Sequence, residues 1–316
     1  MLRLRKSWAT APCLLALAAS SLLAAEAPPA ATKDRQIEEI PPTFANVAYG
    51  ADPAQVLDVW LAQGPQPTPV VFSIHGGGWI HGPKEPLGGD RRLLARGISV
   101  VHITYRFTPA HPLPAPVADA ARALQFVRSK AGVWHLDRRK VILSGFSAGG
   151  CTALWLATHP DLAQPDAVDP VARESTRVSG AMIAAAQTTI EPDLVRDWVG
   201  LQAVNHSMLR SALGFKTNAE MFDAISRQPA VASLYREYSP LTHLSPDDPP
   251  LVLEYGPRSP DLSGGIHGAE FGIRFKQRAD ELGITTCWLK VAGSEIHRGF
   301  PGKGLAFVES LLHRDP

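Results

Sequence analysis

From residue 43 onward, two hydrophobic patterns take turns along the chain. Short runs rich in branched and aromatic residues predict β-strands, and longer stretches with apolar residues at helical spacing predict the helices between them. The predicted strands are Thr43–Tyr49, Gln55–Ala62, Val70–Ile74, Ser99–Arg106, Val141–Ser144, Val178–Ala186, Leu251–Tyr255 and Ile284–Val291. The predicted helices are Leu87–Arg96, Pro116–Lys130, Ala148–His159, Ala269–Leu282 and Gly304–His313. This alternation favours an α/β fold, a mostly parallel eight-stranded sheet with helices on both faces.

One stretch departs from the alternation. Residues 187–249 are rich in helix signals and interrupt the series of strands, which predicts a small helical cap insertion over the strand ends. Its apolar side chains either pack the cap itself, their more common role at helical spacing, or shape an acyl or aromatic pocket. They include Trp198, His206, Met208, Phe215, Met221, Phe222 and Tyr235.

The first residues have a pattern of their own. Three basic residues among the first six precede an apolar run that ends in small residues, which predicts a secretory signal peptide at residues 1–25. The run is too short and too interrupted for a stable membrane anchor. A Pro- and Ala-rich linker is predicted at 26–42, followed by a single domain at 43–316 that contains the cap insertion. We therefore expect a secreted or periplasmic protein.

Composition excludes several function classes. The 31 Lys and Arg residues balance 30 Asp and Glu residues, and no basic stripe is visible, so we expect no nucleic-acid partner. Cys151 and Cys287 remain after the leader, and buried free thiols are favoured over a bridge between them. Neither CxxC nor HExxH occurs, which predicts no metal site and no metal cofactor.

The strongest chemical signal is the sequence Gly145-Phe146-Ser147-Ala148-Gly149, a GxSxG motif between a predicted strand and a predicted helix. Such a turn lifts the serine hydroxyl above the sheet edge and needs glycine where side chains do not fit. Ser147 is therefore the predicted nucleophile. The Ala148 amide, at the positive end of the helix, is a predicted oxyanion donor.

A second motif, His75-Gly76-Gly77-Gly78-Trp79, follows the strand Val70–Ile74. Its bare backbone predicts that the Gly76 and Gly77 amides complete an oxyanion hole. A phosphate cradle is the alternative, but the spacing fits neither GxxxxGK[ST] nor GxGxxG. Trp79 either forms a substrate pocket wall or packs the loop down, and His75 is expected to brace the loop.

These motifs, with Tyr105-Arg106, Pro114, Asp119 and Leu57 to Leu61, resemble those of α/β-hydrolases. Within that fold the chain is similar to the bacterial esterases related to hormone-sensitive lipase and to the feruloyl and acetyl xylan esterases. The resemblance runs from about Val47 to the last helix. It implies a serine esterase that needs no cofactor.

A serine needs a positioned base, and in this fold the order is Ser, acid, His. His297, in a Gly-rich loop after the last strand, is similar to the family's histidine and is the predicted base; a surface loop residue is the alternative. His267 is predicted to face the pocket and bind substrate. His313 is expected to be solvated.

The acid is less clearly marked. Relatives carry an aspartate three residues after the glycine that follows the seventh strand, whereas here Ser259 stands at that position. Asp261 is the predicted acid, with Glu191 and Asp193 as alternatives. Asp119 lies inside a helix and is expected to be structural.

The predicted function is hydrolysis of carboxylic esters, with short acyl or feruloyl groups on carbohydrate implied by the resemblance. Two alternatives stay open. One is a peptidase of the prolyl-oligopeptidase type, disfavoured because no propeller-sized domain is visible. The other is a non-catalytic exported carbohydrate-binding homologue, favoured by the displaced aspartate.

Overall fold

The structure, a computed structural model, describes residues 40–84, 89–257, 265–293 and 305–312. The predicted signal peptide and nearly all of the predicted linker lie outside these residues, so export stays a prediction. Asp261 and His297 also lie outside them.

The described part of the chain forms one eight-stranded sheet in the order β1-β2-β4-β3-β5-β6-β7-β8. The strands are β1 (Phe44–Ala48), β2 (Val56–Trp60), β3 (Thr68–Ile74), β4 (Ser99–Ile103), β5 (Leu136–Phe146), β6 (Gly180–Ala184), β7 (Leu251–Tyr255) and β8 (Cys287–Val291). β2 pairs antiparallel with β1 and β4, and every other pairing is parallel. The predicted mostly parallel α/β sheet is confirmed.

The helices of the described residues connect these strands. They are α1 (Asp90–Leu94), α2 (Ala115–Ser129), α3 (Ala131–Trp134), α4 (Ala148–Thr158), α5 (Pro192–Val199), α6 (Leu201–Val204), α7 (Ser207–Ala212), α8 (Asn218–Arg227), α9 (Pro229–Glu237), α10 (Pro240–His243), α11 (Glu270–Glu281) and α12 (Leu305–Leu312). A short 3-10 turn, Gly265–His267, precedes α11.

Alternate residues of the central strands supply two hydrophobic cores, one on each face of the sheet. Phe72 of β3 and Leu143 of β5 belong to the larger core, which includes α2, α4 and α11. Their neighbours in the chain, Val71 of β3 and Ile142 of β5, belong to the smaller core together with Phe307 of α12. This period of two explains why both faces are covered by helices.

Six helices, α5 to α10, lie between β6 and β7. Met208, Met221 and Tyr235 are at most 1% exposed and belong to the same core as the sheet. Of the two roles open to the apolar residues of this segment, these three pack the cap.

Cys151 and Cys287 are buried free thiols, as predicted. Burial raises the pKa of the Cys287 thiol to about 12, so the thiol stays protonated at neutral pH. Within the described residues, every helix is too short or too polar to cross a bilayer.

Candidate active site

Ser147 occupies the turn between β5 and α4. Its backbone angles, φ 53° and ψ −126°, lie in a region that a residue with a side chain rarely adopts. The Ser147 amide donates to the Ala184 carbonyl of β6 at 3.0 Å, and the Ser147 carbonyl accepts from the Cys151 amide at 2.8 Å. The strained turn is thus held on both sides, which fixes the position of the hydroxyl.

The glycines of the GxSxG motif are required by close backbone contacts. A Cβ on Gly145 would lie 2.4 Å from the Gly149 carbonyl oxygen, and one on Gly149 would lie 2.1 Å from the Ile74 carbonyl oxygen. No side chain fits at these distances. The helix that follows Ser147 can therefore pack directly against the end of β3.

The glycine loop lies beside the nucleophile. A Cβ on Gly76 would be 3.3 Å from the Ser147 Cβ, so the two backbones are in contact. Gly77, with φ +100°, accepts hydrogen bonds from the Ile80 and His81 amides and closes the turn. On the other side of Ser147, Ala148 begins α4, where first-turn amides have no partner within the helix. Gly76 and Ala148 therefore lie on either side of Ser147, and their role as oxyanion donors stays a prediction.

Trp79 does not line a substrate pocket, and that prediction is corrected. The side chain is fully buried, and its Nε1 donates to the Thr152 Oγ1 of α4 at 2.9 Å. Thr108 donates its amide to the Trp79 carbonyl at 2.8 Å. Of the two roles that the sequence left open, Trp79 packs the glycine loop onto the nucleophile helix.

His75 braces the loop, as expected. The Tyr105 hydroxyl donates to the His75 carbonyl at 2.8 Å, and the two rings stack with centroids 4.4 Å apart. Burial lowers the pKa of His75, so the ring is neutral near pH 7. Asp119 is structural, as expected, because its carboxylate accepts from Arg106 and from Gln55 Nε2 at 2.7–2.9 Å.

His267 is the imidazole that the structure brings to the nucleophile. Its Nε2 lies 2.8 Å from Ser147 Oγ, hydrogen-bond distance for a general base. The ring also stacks on Phe146, with centroids 5.4 Å apart. Desolvation lowers the pKa of His267. The structure adds a direct contact with the nucleophile to the predicted role of His267, whose part in substrate binding stays a prediction.

The 3-10 turn that carries His267 rests on the start of the cap. Gln187 Nε2 donates to the Ile266 carbonyl at 2.6 Å, in a buried position. Gly265 lies beside Gln202 of α6. His206, at the start of α7, has its pKa lowered by burial and by the nearby imidazole of His267. The cap thus positions His267 through contacts with the backbone of the 3-10 turn. No sequence motif indicates these contacts.

Glu191 and Asp193, the alternative acids, each make an ion pair with an arginine of the cap. Glu191 accepts from Arg236 Nε at 3.2 Å, and Asp193 accepts from Arg196 at 2.7 Å on the cap surface. Asp193 is 69% exposed, so it is a solvated residue rather than a buried carboxylate that orients a base. The identity of the acid stays a prediction, because Asp261 and His297 lie outside the described residues.

A cavity of about 510 Å³ adjoins the nucleophile turn from the smaller-core face of the sheet. Ser73, Ser144 and Val252 line it, and it reaches Gly76 and Phe146. Ser147 and His267 do not line this cavity. On the cap side of the glycine loop, Met208 packs against Gly78.

A protein-family model, BD-FAE, matches residues 57–262, well over half of the chain. Among curated proteins, the probable carboxylic ester hydrolase LipM of Mycobacterium tuberculosis is 29% identical over 221 residues, 67% of this chain and 47% of LipM. Carboxylesterase NlhH of the same species is 30% identical over 159 residues, 46% of this chain and 50% of NlhH. The chain thus spans about half the length of these two relatives.

Solved structures share the fold. An acetyl ester-xyloside bifunctional hydrolase from Caldicellulosiruptor lactoaceticus matches with TM-score 0.60 and 21% identity, over 82% of both chains. Esterase 2 of Thermogutta terrifontis, phosphonylated by sarin, matches with TM-score 0.59 and 21% identity, over 88% of this chain and 94% of that chain. At this identity the likeness establishes the α/β-hydrolase architecture.

Proposed function

This chain belongs to the BD-FAE family, and from that membership and the contact between Ser147 and His267 we propose that it hydrolyses carboxylic esters. The observation that carries the proposal is the 2.8 Å distance between Ser147 Oγ and His267 Nε2. A serine hydroxyl becomes a nucleophile when a base within this distance can accept its proton. The esterase names of LipM and NlhH support the same reaction class.

In the proposed reaction Ser147 Oγ attacks the ester carbonyl carbon while His267 Nε2 takes the hydroxyl proton. The carbonyl oxygen becomes an oxyanion, which the Gly76, Gly77 and Ala148 amides stabilise. His267 then gives the proton to the leaving alkoxide, and an ester bond to Ser147 remains. Water then attacks the acyl carbon and passes a proton to His267, the bond between the acyl group and Ser147 Oγ breaks, and His267 returns the proton to Oγ as the acid is released.

Ser147 itself is prepared for this step by its surroundings. Its residue is only 6% exposed, so few water molecules compete for the hydroxyl. The left-handed backbone angles hold the hydroxyl at the N-terminus of α4 without a rearrangement at the moment of attack. Preorganised amides in such a partly dry site stabilise charge better than water does.

The substrate we propose is an ester of a short acyl or aromatic acid with a carbohydrate alcohol. Phe146 is 53% exposed, adjoins Ser147 in the chain and stacks on His267, so it offers an apolar surface to the acid part of the ester. Structural neighbours include a carbohydrate esterase from gut microbiota, with TM-score 0.57 and 16% identity over 78% of this chain.

We expect the Ser147→Ala variant to lose about 10³-fold or more of kcat/KM on p-nitrophenyl acetate, because no nucleophile remains. His267→Ala should lose about 10²- to 10⁴-fold, the usual contribution of a general base. His297→Ala is the matched control, since it removes the other candidate imidazole. A large loss in His297→Ala with little change in His267→Ala would assign the base to His297.

A fluorophosphonate probe separates catalysis from ester binding alone. Wild-type protein should be labelled once, at Ser147, and Ser147→Ala should not be labelled. Comparing p-nitrophenyl acetate, methyl ferulate and acetylated xylan in the same assays then tests the substrate class. An unlabelled wild-type protein that still binds xylan would contradict the enzyme and support a binding protein.

A further inference from the structure

Two imidazoles and a carboxylate from distant parts of the chain meet away from the nucleophile. His159 follows α4, Glu237 ends α9, and His243 ends α10. One possible ligand atom from each residue lies within 4.8 Å of the other two. Because 77 residues separate His159 from Glu237, a search for short metal-binding motifs does not find this group.

The separations within the group suit a metal better than direct hydrogen bonds. Glu237 Oε1 lies 3.4 Å from His159 Nε2 and 3.6 Å from His243 Nε2. A good hydrogen bond between nitrogen and oxygen spans about 2.7–3.2 Å. Ligand atoms about 2.0–2.1 Å from a tetrahedral Zn²⁺ lie about 3.3–3.4 Å apart.

The hydrogen bond of His159 prepares its other nitrogen. His159 Nδ1 lies 2.8 Å from the Pro160 carbonyl oxygen, which can only accept, so Nδ1 carries the proton. In the neutral ring Nε2 then presents its lone pair toward Glu237. A backbone carbonyl on the second ring nitrogen is the usual support of a metal-bound histidine.

Trp155 fixes both rings. It stacks on His159 with centroids 4.1 Å apart and meets His243 edge-on at 5.8 Å. His243 Nε2 lies 2.6 Å from the Glu237 carbonyl oxygen, which also accepts from Trp155 Nε1 at 2.7 Å. Because a carbonyl oxygen only accepts, Nε2 of His243 carries the proton in the metal-free protein, and metal binding requires this proton to move to Nδ1; the carbonyl then keeps Trp155 Nε1 as its partner.

The burial of the three residues matches a metal site with an open position. The His159 and His243 side chains are 17% and 12% exposed, whereas Glu237 is 44% exposed. A metal at this point would have protein on one side and water on the other. Three protein ligands plus a water is a common coordination of Zn²⁺.

We propose that His159, Glu237 and His243 bind a divalent transition metal, Zn²⁺ in the first instance, that fastens the cap to the nucleophile helix. α4 begins beside Ser147 and ends at His159, and Glu237 and His243 belong to the cap helices packed on it. The metal binds two neutral imidazoles and one carboxylate, so no oxidant or reductant is needed. This site is independent of the proposed ester hydrolysis.

The test is titration of chelator-treated, tag-free, full-length protein with ZnCl₂. We expect one zinc per chain by calorimetry and an increase in Tm of about 5 °C when zinc exceeds the Kd about a hundredfold. His159→Asn and Glu237→Gln should each weaken binding at least tenfold and remove most of the increase in Tm. Glu237→Gln keeps the shape of the side chain, so its fold is expected to persist if His159→Asn unfolds.

His135→Asn is the matched control, because His135 is an exposed histidine elsewhere whose left-handed backbone, φ 56°, asparagine tolerates. It should bind zinc as the wild type does. Wild-type protein without stoichiometric zinc, or zinc binding that persists unchanged in both site variants, would overturn the proposal and leave the group as a His–Glu ion pair.

Discussion

At the scale of single residues, the environment of His267 decides how the proposed reaction depends on pH. Nε2 of the ring lies 2.8 Å from Ser147 Oγ, the ring face stacks on Phe146, and desolvation lowers the pKa of His267 from its ordinary value of 6.5. Desolvation disfavours the charged ring, so the neutral, proton-accepting form persists to lower pH.

We therefore predict that the acidic limb of the kcat/KM profile on p-nitrophenyl acetate has its midpoint below pH 6.5. Activity should be retained as the pH falls through 6.5 and be lost only as it passes the lowered pKa, because protonated His267 cannot accept the Ser147 proton. kcat/KM is the relevant quantity, since it reports the free enzyme. A midpoint above pH 6.5 would show that a carboxylate raises the pKa of the base, in contradiction to His267 acting in the environment described.

The residue scale also shows what sequence can reveal about a site. Ser147 and Gly76 could be predicted because their chemistry depends on local backbone geometry, which short motifs encode. The contact of His267 could not, because it depends on a buried bond from Gln187 to Ile266, 79 positions apart. The sequence left the role of Trp79 open for the same reason, because its hydrogen-bond partner Thr152 is 73 positions away.

At the scale of elements, α4 depends on direct contact between its first turn and the end of β3. A Cβ on Gly149 would lie 2.1 Å from the Ile74 carbonyl oxygen and 2.4 Å from the His75 carbonyl oxygen. Both atoms belong to the backbone that leads into the glycine loop. The same contact therefore fixes the nucleophile and the oxyanion loop relative to each other.

We predict that Gly149→Ala lowers the free energy of unfolding by about 3 kcal/mol and reduces esterase activity, because the added methyl forces α4 away from β3. Gly132→Ala is the matched control. Gly132 lies in helix α3 with no atom within 4 Å of an added Cβ, so this change should stabilise the protein by about 0.5 kcal/mol. Urea unfolding measures both, and equal effects of the two substitutions would contradict the prediction.

Elements differ in how far their sequence specifies them. The strands were predictable because buried parallel strands are short, apolar runs, as in β3 and β4. The cap was predictable only as a helix-rich insertion. Its helices α6 and α10 have four residues each, too few for a helical period to be visible in the sequence.

At the scale of the whole molecule, the cap and the sheet share one hydrophobic core. Val195 and Leu209 of the cap belong to the same cluster of contacting buried side chains as Phe72 and Leu143 of the central strands. Trp155 of α4 also donates its Nε1 to the Glu237 carbonyl of α9. When the sheet unfolds, the apolar side chains of the cap lose the contacts that bury them. When the cap unfolds, the side chains of the sheet lose buried contacts in the same way.

We therefore predict that the described domain unfolds in a single transition and that a cavity in the cap destabilises the sheet as well. Leu209→Ala, at a fully buried position of α7, should lower the free energy of unfolding by about 3 kcal/mol. Leu234→Ala makes the same change in α9 at a side chain that is 39% exposed, and should cost less than about 1 kcal/mol.

Circular dichroism reports the whole domain, and tryptophan fluorescence reports chiefly the sheet and α4, so coincident curves for Leu209→Ala are expected. An early transition seen by one method alone would mean that the cap unfolds independently, and Ser147 would then keep its turn while His267 loses the contacts that hold it.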